Sequence, residues 1–157
     1  MVKTKYQAAP GRESKTAKAT LKNAGISLKY STEMFREIKG RPVDKSIKRL
    51  GRIAEKEEAL PLRKYNKKVA HRKGDAKSGV KSGRYPAKAA KRFVELLELA
   101  KANADFKGLD TEKLLVLHGH ASQGFSRQSL QPKGRIGGKV RQRKSTHLEV
   151  VVTEVKG

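Results

Sequence analysis

Between Glu112 and Glu149 the chain has no acidic residue, yet that window holds eight Lys or Arg and three His. Its two ends read as strands, because "LLVLHGHA" from Leu114 and "THLEVVVTEV" from Thr146 are β-branched or aliphatic. Its middle, "SRQSLQPKGRIGGKVRQRKST" from Ser126, carries seven Lys or Arg and few large apolar side chains. Pro132 and Gly134 supply a reversal, so the pattern predicts a β-hairpin over about 114–155 with its tip at Pro132 to Arg135. An arm from Leu114 to Leu130 would run about 55 Å at ~3.3 Å per residue. A compact domain of 157 residues has a radius of gyration of about 15 Å. The hairpin must therefore project. Its outer part offers only Phe125, Leu130, Ile136 and Val140 as apolar groups, and an isolated ribbon is marginal in water, so it needs an external scaffold.

The charge says what kind of scaffold. Against 15 Asp and Glu the chain has 38 Lys and Arg, a net +23 that draws in polyanions. Lys133, Arg135, Lys139, Arg141, Arg143 and Lys144 suit phosphates, Arg as a planar fork and Lys as a point charge. A device for solubility would mix both signs. A second acid-poor stretch, Ala59 to Arg92, has twelve Lys or Arg and only Asp75. Two such segments imply several contacts with a large folded polyanion. The rival is a DNA-bending ribbon with an apolar wedge, Pro132 and Ile136, at its tip. No apolar run approaches the roughly 20 residues that span a bilayer, and the N-terminus has no signal-type apolar stretch, so membrane insertion is not expected and the expected location is cytoplasmic.

Along the chain, residues 1–24 are polar, basic and aperiodic and read as a tail; residues 25–157 form the domain. "GISLKYS" alternates Ile26, Leu28 and Tyr30 as a short strand does. Ser31 then caps a helix with Glu33 in its first turn, Met34, Phe35 and Ile38 on its apolar side and Gly40 at its end. Pro42 opens a second helix with Val43, Ile47, Leu50 and Ile53 on one face. A basic connector covers Pro61 to Arg84. A third helix starts near Pro86, carries the stripe Ala90, Phe93, Val94, Leu97, Ala100 and Ala104, and stops at Gly108. With no Cys or Trp and eight Phe or Tyr, the core is aliphatic and modest.

No catalytic pattern emerges. "GRPVDKS" lacks the second Gly of a phosphate loop, no His-Glu-x-x-His occurs, and the carboxylates of "EKEEAL" read as a solvated helix end. No cofactor is implied. A turn centred on Lys133 and Gly134 would set His147 opposite His120, on the face of His118, where three imidazoles could meet a metal; the alternative is pairing across strands or contact with RNA. Tyr65 and Phe125 lie among basic residues, where rings can stack on unpaired bases or simply pack.

"QPKGRIGGKVRQ" and "KSTHLEVVVTE", preceded by "YPAKAAKRFVELLELAKANADFKGLDTEKLLVLH", resemble the universal large-subunit ribosomal protein number twenty-two family, whose eukaryotic form is number seventeen. The resemblance covers about residues 25–155, and "LPLRKYNKKVAHRKG" is similar to its archaeal and eukaryotic branch. It implies an α+β fold of three helices on a three-stranded antiparallel sheet with a protruding hairpin. It also implies a structural, non-enzymatic role in which the protein binds large-subunit ribosomal RNA, aids its assembly and lines the nascent-peptide exit tunnel. The expected partners are that RNA, neighbouring large-subunit proteins and the nascent polypeptide, with no homo-oligomer. RNA contacts are expected from Arg63, Lys64, Asn66, Lys67, Lys68, Arg72, Lys73 and Arg84 on the connector, and from Arg127, Lys139, Arg141, Arg143 and Lys144 on the hairpin. The tunnel tip is expected at Gln131, Pro132, Lys133, Gly134 and Arg135.

Overall fold

The computed structural model describes residues 6–9, 13–70, 74 and 79–155. The long apolar stripe forms a helix, Ala87–Phe106, here α3, and Ala90, Phe93, Leu97, Ala100 and Ala104 are covered along it. Gly108, at φ +73°, ends it, and the Leu109 N–H returns to the Ala104 carbonyl. Two shorter helices precede it: α1, Leu28–Ile38, and α2, Val43–Ala54. Met34, Phe35 and Ile38 of α1 and Val43, Leu50 and Ile53 of α2 are buried as their spacing predicts. Each such large side chain contributes about 1.5–3 kcal/mol of apolar burial.

These helices cover one face of a three-stranded antiparallel sheet in the order β1-β5-β4, where β1 is Thr16–Ala24, β4 is Leu114–Leu130 and β5 is Val140–Glu154. Two two-residue strands, β2 (Leu60–Pro61) and β3 (Gly83–Arg84), pair antiparallel and draw the ends of the connector together. Val116 of β4 exchanges backbone hydrogen bonds with Gly40 and Arg41, so the turn between α1 and α2 covers part of the outer edge of β4.

The structure corrects the sequence reading at the N-terminal end. Residues 16–24 are not tail but the third strand, running from Thr16↔Thr153 to Ala24↔Thr146 along β5. "TAKATLKNA" does alternate, with Ala17 and Ala19 inward and Lys18 and Lys22 outward, but alanine is a weak strand former and gives little hydrophobic contrast. Its small side chains let α3 come close, and Asn103 of α3 and Lys107 just beyond its end donate to the carbonyls of Lys18 and Thr16.

"GISLKYS" is correspondingly not a strand. Helix α1 begins within it, with Ser27 at the capping position, and the Ser31 and Thr32 hydroxyls donate to the Ser27 and Leu28 carbonyls four residues back. The period-two alternation of Ile26, Leu28 and Tyr30 is too short to exclude a helical face that continues through Met34 and Ile38. Ser31 is thus inside the helix and not its cap.

The hairpin exists, and only its outer part is free. Up to Gln123↔Thr146 it belongs to the sheet; beyond, from Ser126↔Lys144 to Leu130↔Val140, it is a two-stranded ribbon closed by a loop over 131–139. Phe125, Leu130, Ile136 and Val140 are 75, 68, 50 and 53% exposed, so no side of this ribbon is covered.

Candidate nucleic-acid interface

The root of the free ribbon is fixed by Asn23, the penultimate residue of β1, held at φ 55°. Its N–H donates to His147 Nδ1 at 3.0 Å, and its Oδ1 accepts from the Phe125 N–H and the Ser145 hydroxyl, each at 3.3 Å. The register of β4 on β5 shifts between Gln123 and Ser126, at the level of Gly124. A Cβ on Gly124 would lie 2.6 Å from Ser145 Oγ and 2.7 Å from Asn23 Oδ1, so only glycine fits inside this collar.

Beyond the collar the pairing sets Arg127 directly opposite Arg143, and Ser129 opposite Arg141, with all four on one face. Like charges facing each other destabilise a strand pair. Among the described residues none of Arg127, Lys133, Arg135, Lys139, Arg141, Arg143 or Lys144 has a carboxylate within ion-pair distance. Lys144 lies on the opposite face, beside Val140 and Gln142. The loop differs from the expected tight tip. Gln131 is half-buried and braces it, its amide donating to the Lys133 carbonyl and its Oε1 accepting from the Arg141 guanidinium, while Pro132, Lys133, Gly134 and Arg135 are exposed.

The connector is positioned by a residue that the sequence pattern placed only in the first turn of a helix. Glu33 of α1 is 1% exposed, and its carboxylate accepts three consecutive backbone N–H groups, from Arg63 at 3.2 Å, Lys64 at 2.6 Å and Tyr65 at 2.7 Å. One turn on, buried Glu37 binds the guanidinium groups of Arg63 at 3.1 Å and Arg49 at 2.8 Å. Arg49 continues to Glu58 at 2.9 Å, which also holds Arg52 at 3.1 Å. Glu58 is therefore a buried tie between Arg side chains and not part of a solvated helix end. The available signal was scarcity: two Glu four apart beside an apolar helix stripe, in a chain this poor in acid, point inward.

With its carboxylates turned inward, this surface keeps its cations. Arg63 is anchored through both backbone and side chain, Lys64 lies 5.4 Å from the centroid of the Tyr65 ring, and Asn66 (φ 56°) begins a turn closed by the Val69 N–H. Lys67 and Lys68 are exposed, the carbonyl of Lys67 accepting from the Ser82 hydroxyl. Arg84 is half-buried and braces the connector, its guanidinium donating to the carbonyls of Gly83 and Ala70. Arg72 and Lys73 lie outside the described residues.

The histidines do not converge as a turn at Lys133 and Gly134 would require. The observed register sets His120 opposite Glu149, 3.6 Å from its carboxylate, and His147 opposite Ser122, where Asn23 engages it. The nine-residue loop, centred on Arg135, shifts the pairing of the ribbon by three positions, and the irregularity between Gln123 and Ser126 takes one back before the histidines. Among the described residues no group of three His, Asp or Glu is arranged to hold a metal. His118 Nε2 is buried with no hydrogen-bond partner, and burial, with Lys39 nearby, lowers its pKa below the ordinary histidine value.

A small α+β body with a pinned basic connector and an uncovered basic ribbon defines a class: an α+β protein that presents uncompensated cations on two separate segments. Comparison with known proteins narrows it. The family described as "Ribosomal protein L22p/L17e" matches residues 19–153. The chain is 44% identical to the large ribosomal subunit protein uL22 of Ignicoccus hospitalis, over 90% of each chain. It is 40% identical to that of Aeropyrum pernix, over 91% of this chain and 92% of the other, and 39% identical to that of Methanopyrus kandleri, over 90% and 89%. The chain belongs to the L22p/L17e family, in its archaeal branch, and is a structural, non-enzymatic ribosomal protein. Among the described residues no helix is long and apolar enough to cross a membrane.

Proposed function

We propose that the chain binds large-subunit ribosomal RNA through its connector and ribbon, helps that RNA fold, and lays its hairpin loop along the nascent-peptide exit tunnel. The observation that carries this reading is Arg127 facing Arg143 on a ribbon without acid and without apolar cover. Such a ribbon is self-repelling alone and becomes ordered when phosphates neutralise it. The α-helical body and sheet anchor it, so binding fixes only the outer segment. Its partners are then the RNA, adjacent large-subunit proteins and, at Lys133 to Arg135, the emerging polypeptide. The names of the relatives support the subunit assignment.

The experiment is a sucrose gradient of cell lysate carrying the tagged chain, before and after a high-salt wash, combined with a photo-crosslinker at Arg135 in ribosomes stalled during translation. Retention on large subunits with crosslinks to nascent chains supports the whole reading. Retention with crosslinks to RNA alone removes the tunnel role. Migration with free protein or DNA overturns the RNA reading in favour of a DNA-bending ribbon.

A further inference from the structure

A cleft of about 630 Å³ lies between α1 and β4, away from the ribbon. Leu28 and Ala121, the ring of Tyr65 and the cations Arg36, Lys39 and Lys64 are among its lining. No carboxylate lines it, and among the described residues none of these three cations has an ion-pair partner. The volume is that of a small-molecule site. Two independent features make it a built site. Glu33 holds the backbone of Lys64 and Tyr65 by the hydrogen bonds described above, so the ring and its neighbouring ammonium are preorganised. Gly119, also in the lining, lets the strand close on the helix, since a Cβ there would collide with the Phe35 ring.

Apolar lining beside a half-exposed aromatic ring favours a planar, π-faced group, and three uncompensated cations select attached negative charge. A nucleotide has both. A base can enter only when it is unpaired and splayed from its helix. We propose that this cleft receives one extrahelical base of the bound RNA, stacked against Tyr65, with the flanking phosphates held by Arg36, Lys39 and Lys64. The proposal rests on the RNA-binding reading above and adds a site that tells a bulged from a continuous helix.

The test compares two RNA stems with the full-length chain, at salt high enough to suppress nonspecific phosphate binding. The stems are identical except for a single bulged 2-aminopurine in one. The bulged stem should bind about tenfold more tightly, the scale of one stacked base, and its fluorescence should change on binding. Tyr65→Ala should abolish that preference while affinity for the paired stem is retained. Arg36→Glu with Lys39→Glu, at exposed positions that no core contact needs, should also remove the preference. Equal binding of the two stems, or a preference that survives both variants, overturns the cleft and leaves the RNA reading standing. Failure of the wild-type chain to bind either stem or extracted large-subunit RNA overturns both.

Discussion

The ring of Phe35 fills the space that a side chain at Gly119 would need: a Cβ there would sit 2.1 Å from Phe35 Cδ1. Phe35 cannot withdraw, because its ring packs on Phe93 with centroids 4.7 Å apart and Phe93 is fully buried. Gly119→Ala should therefore destabilise the fold by about 1–3 kcal/mol, the scale of an overpacked core. Gly51→Ala supplies the opposite sign, since Gly51 lies inside α2 with open space around its missing Cβ, and should stabilise by ~0.5–1 kcal/mol. Urea denaturation of the three proteins measures both, and a neutral Gly119→Ala would refute this packing.

Glu33 is expected to govern the connector more than the core. Glu33→Ala leaves three N–H groups at 63–65 without their acceptor, at a cost of about 1–3 kcal/mol for each that stays buried, reduced where water reaches it. Hydrogen exchange at Lys64 and Tyr65 should accelerate selectively, with α3 amides changing only as global stability does. Unchanged protection at 64 and 65 would show that the connector holds itself.

Arg127 and Arg143 should respond in opposite directions in the free and bound protein. Arg127→Glu places an opposite charge across from Arg143 and should steady the isolated ribbon by about 0.2–1 kcal/mol, seen as sharper amide signals over 126–144. The same change should weaken RNA binding. Replacing both arginines with Gln should reduce the slope of log affinity against log salt by about 1.5, from ~0.7–0.9 per phosphate contact. An unchanged slope would mean that these arginines do not meet phosphate.

His118 gives the fold a pH dependence of known sign. Its pKa is lowered by burial first, then by Lys39 and His120, with Glu149 opposing. The unfolded chain therefore takes up a proton near pH 6.5 that the folded chain resists. Stability from this group is full above about pH 6.5 and declines as pH falls through the lower folded value. His118→Gln should flatten that part of a melting-temperature profile taken between pH 7.5 and 5. A profile as steep as the wild type would assign the dependence to other groups.

What the sequence could reveal was whatever repeats locally. The stripe of α3 spans enough turns to be unambiguous, and the aliphatic ends of the hairpin with an acid-free middle predict both its strands and its basic surface. The same local patterns fail where the signal is short or weak: β1 is built on alanines, and Ile26 to Tyr30 fit two periodicities at once. Arg84 shows a different limit. Its charge was legible, but its use as a brace for the Gly83 and Ala70 carbonyls depends on how the connector folds back.

Composition and periodicity by themselves determined a basic, acid-poor α+β chain with three amphipathic helices and a ribbon that its own residues could not bury. Only the tertiary structure decided where that ribbon becomes free and which cations stay uncompensated. Both depend on partners far apart in the chain: Asn23 meets His147, and Glu33 meets Tyr65. A hydrogen bond or ion pair of that kind leaves no period in the sequence, because it is selected by register and packing after the local elements have formed.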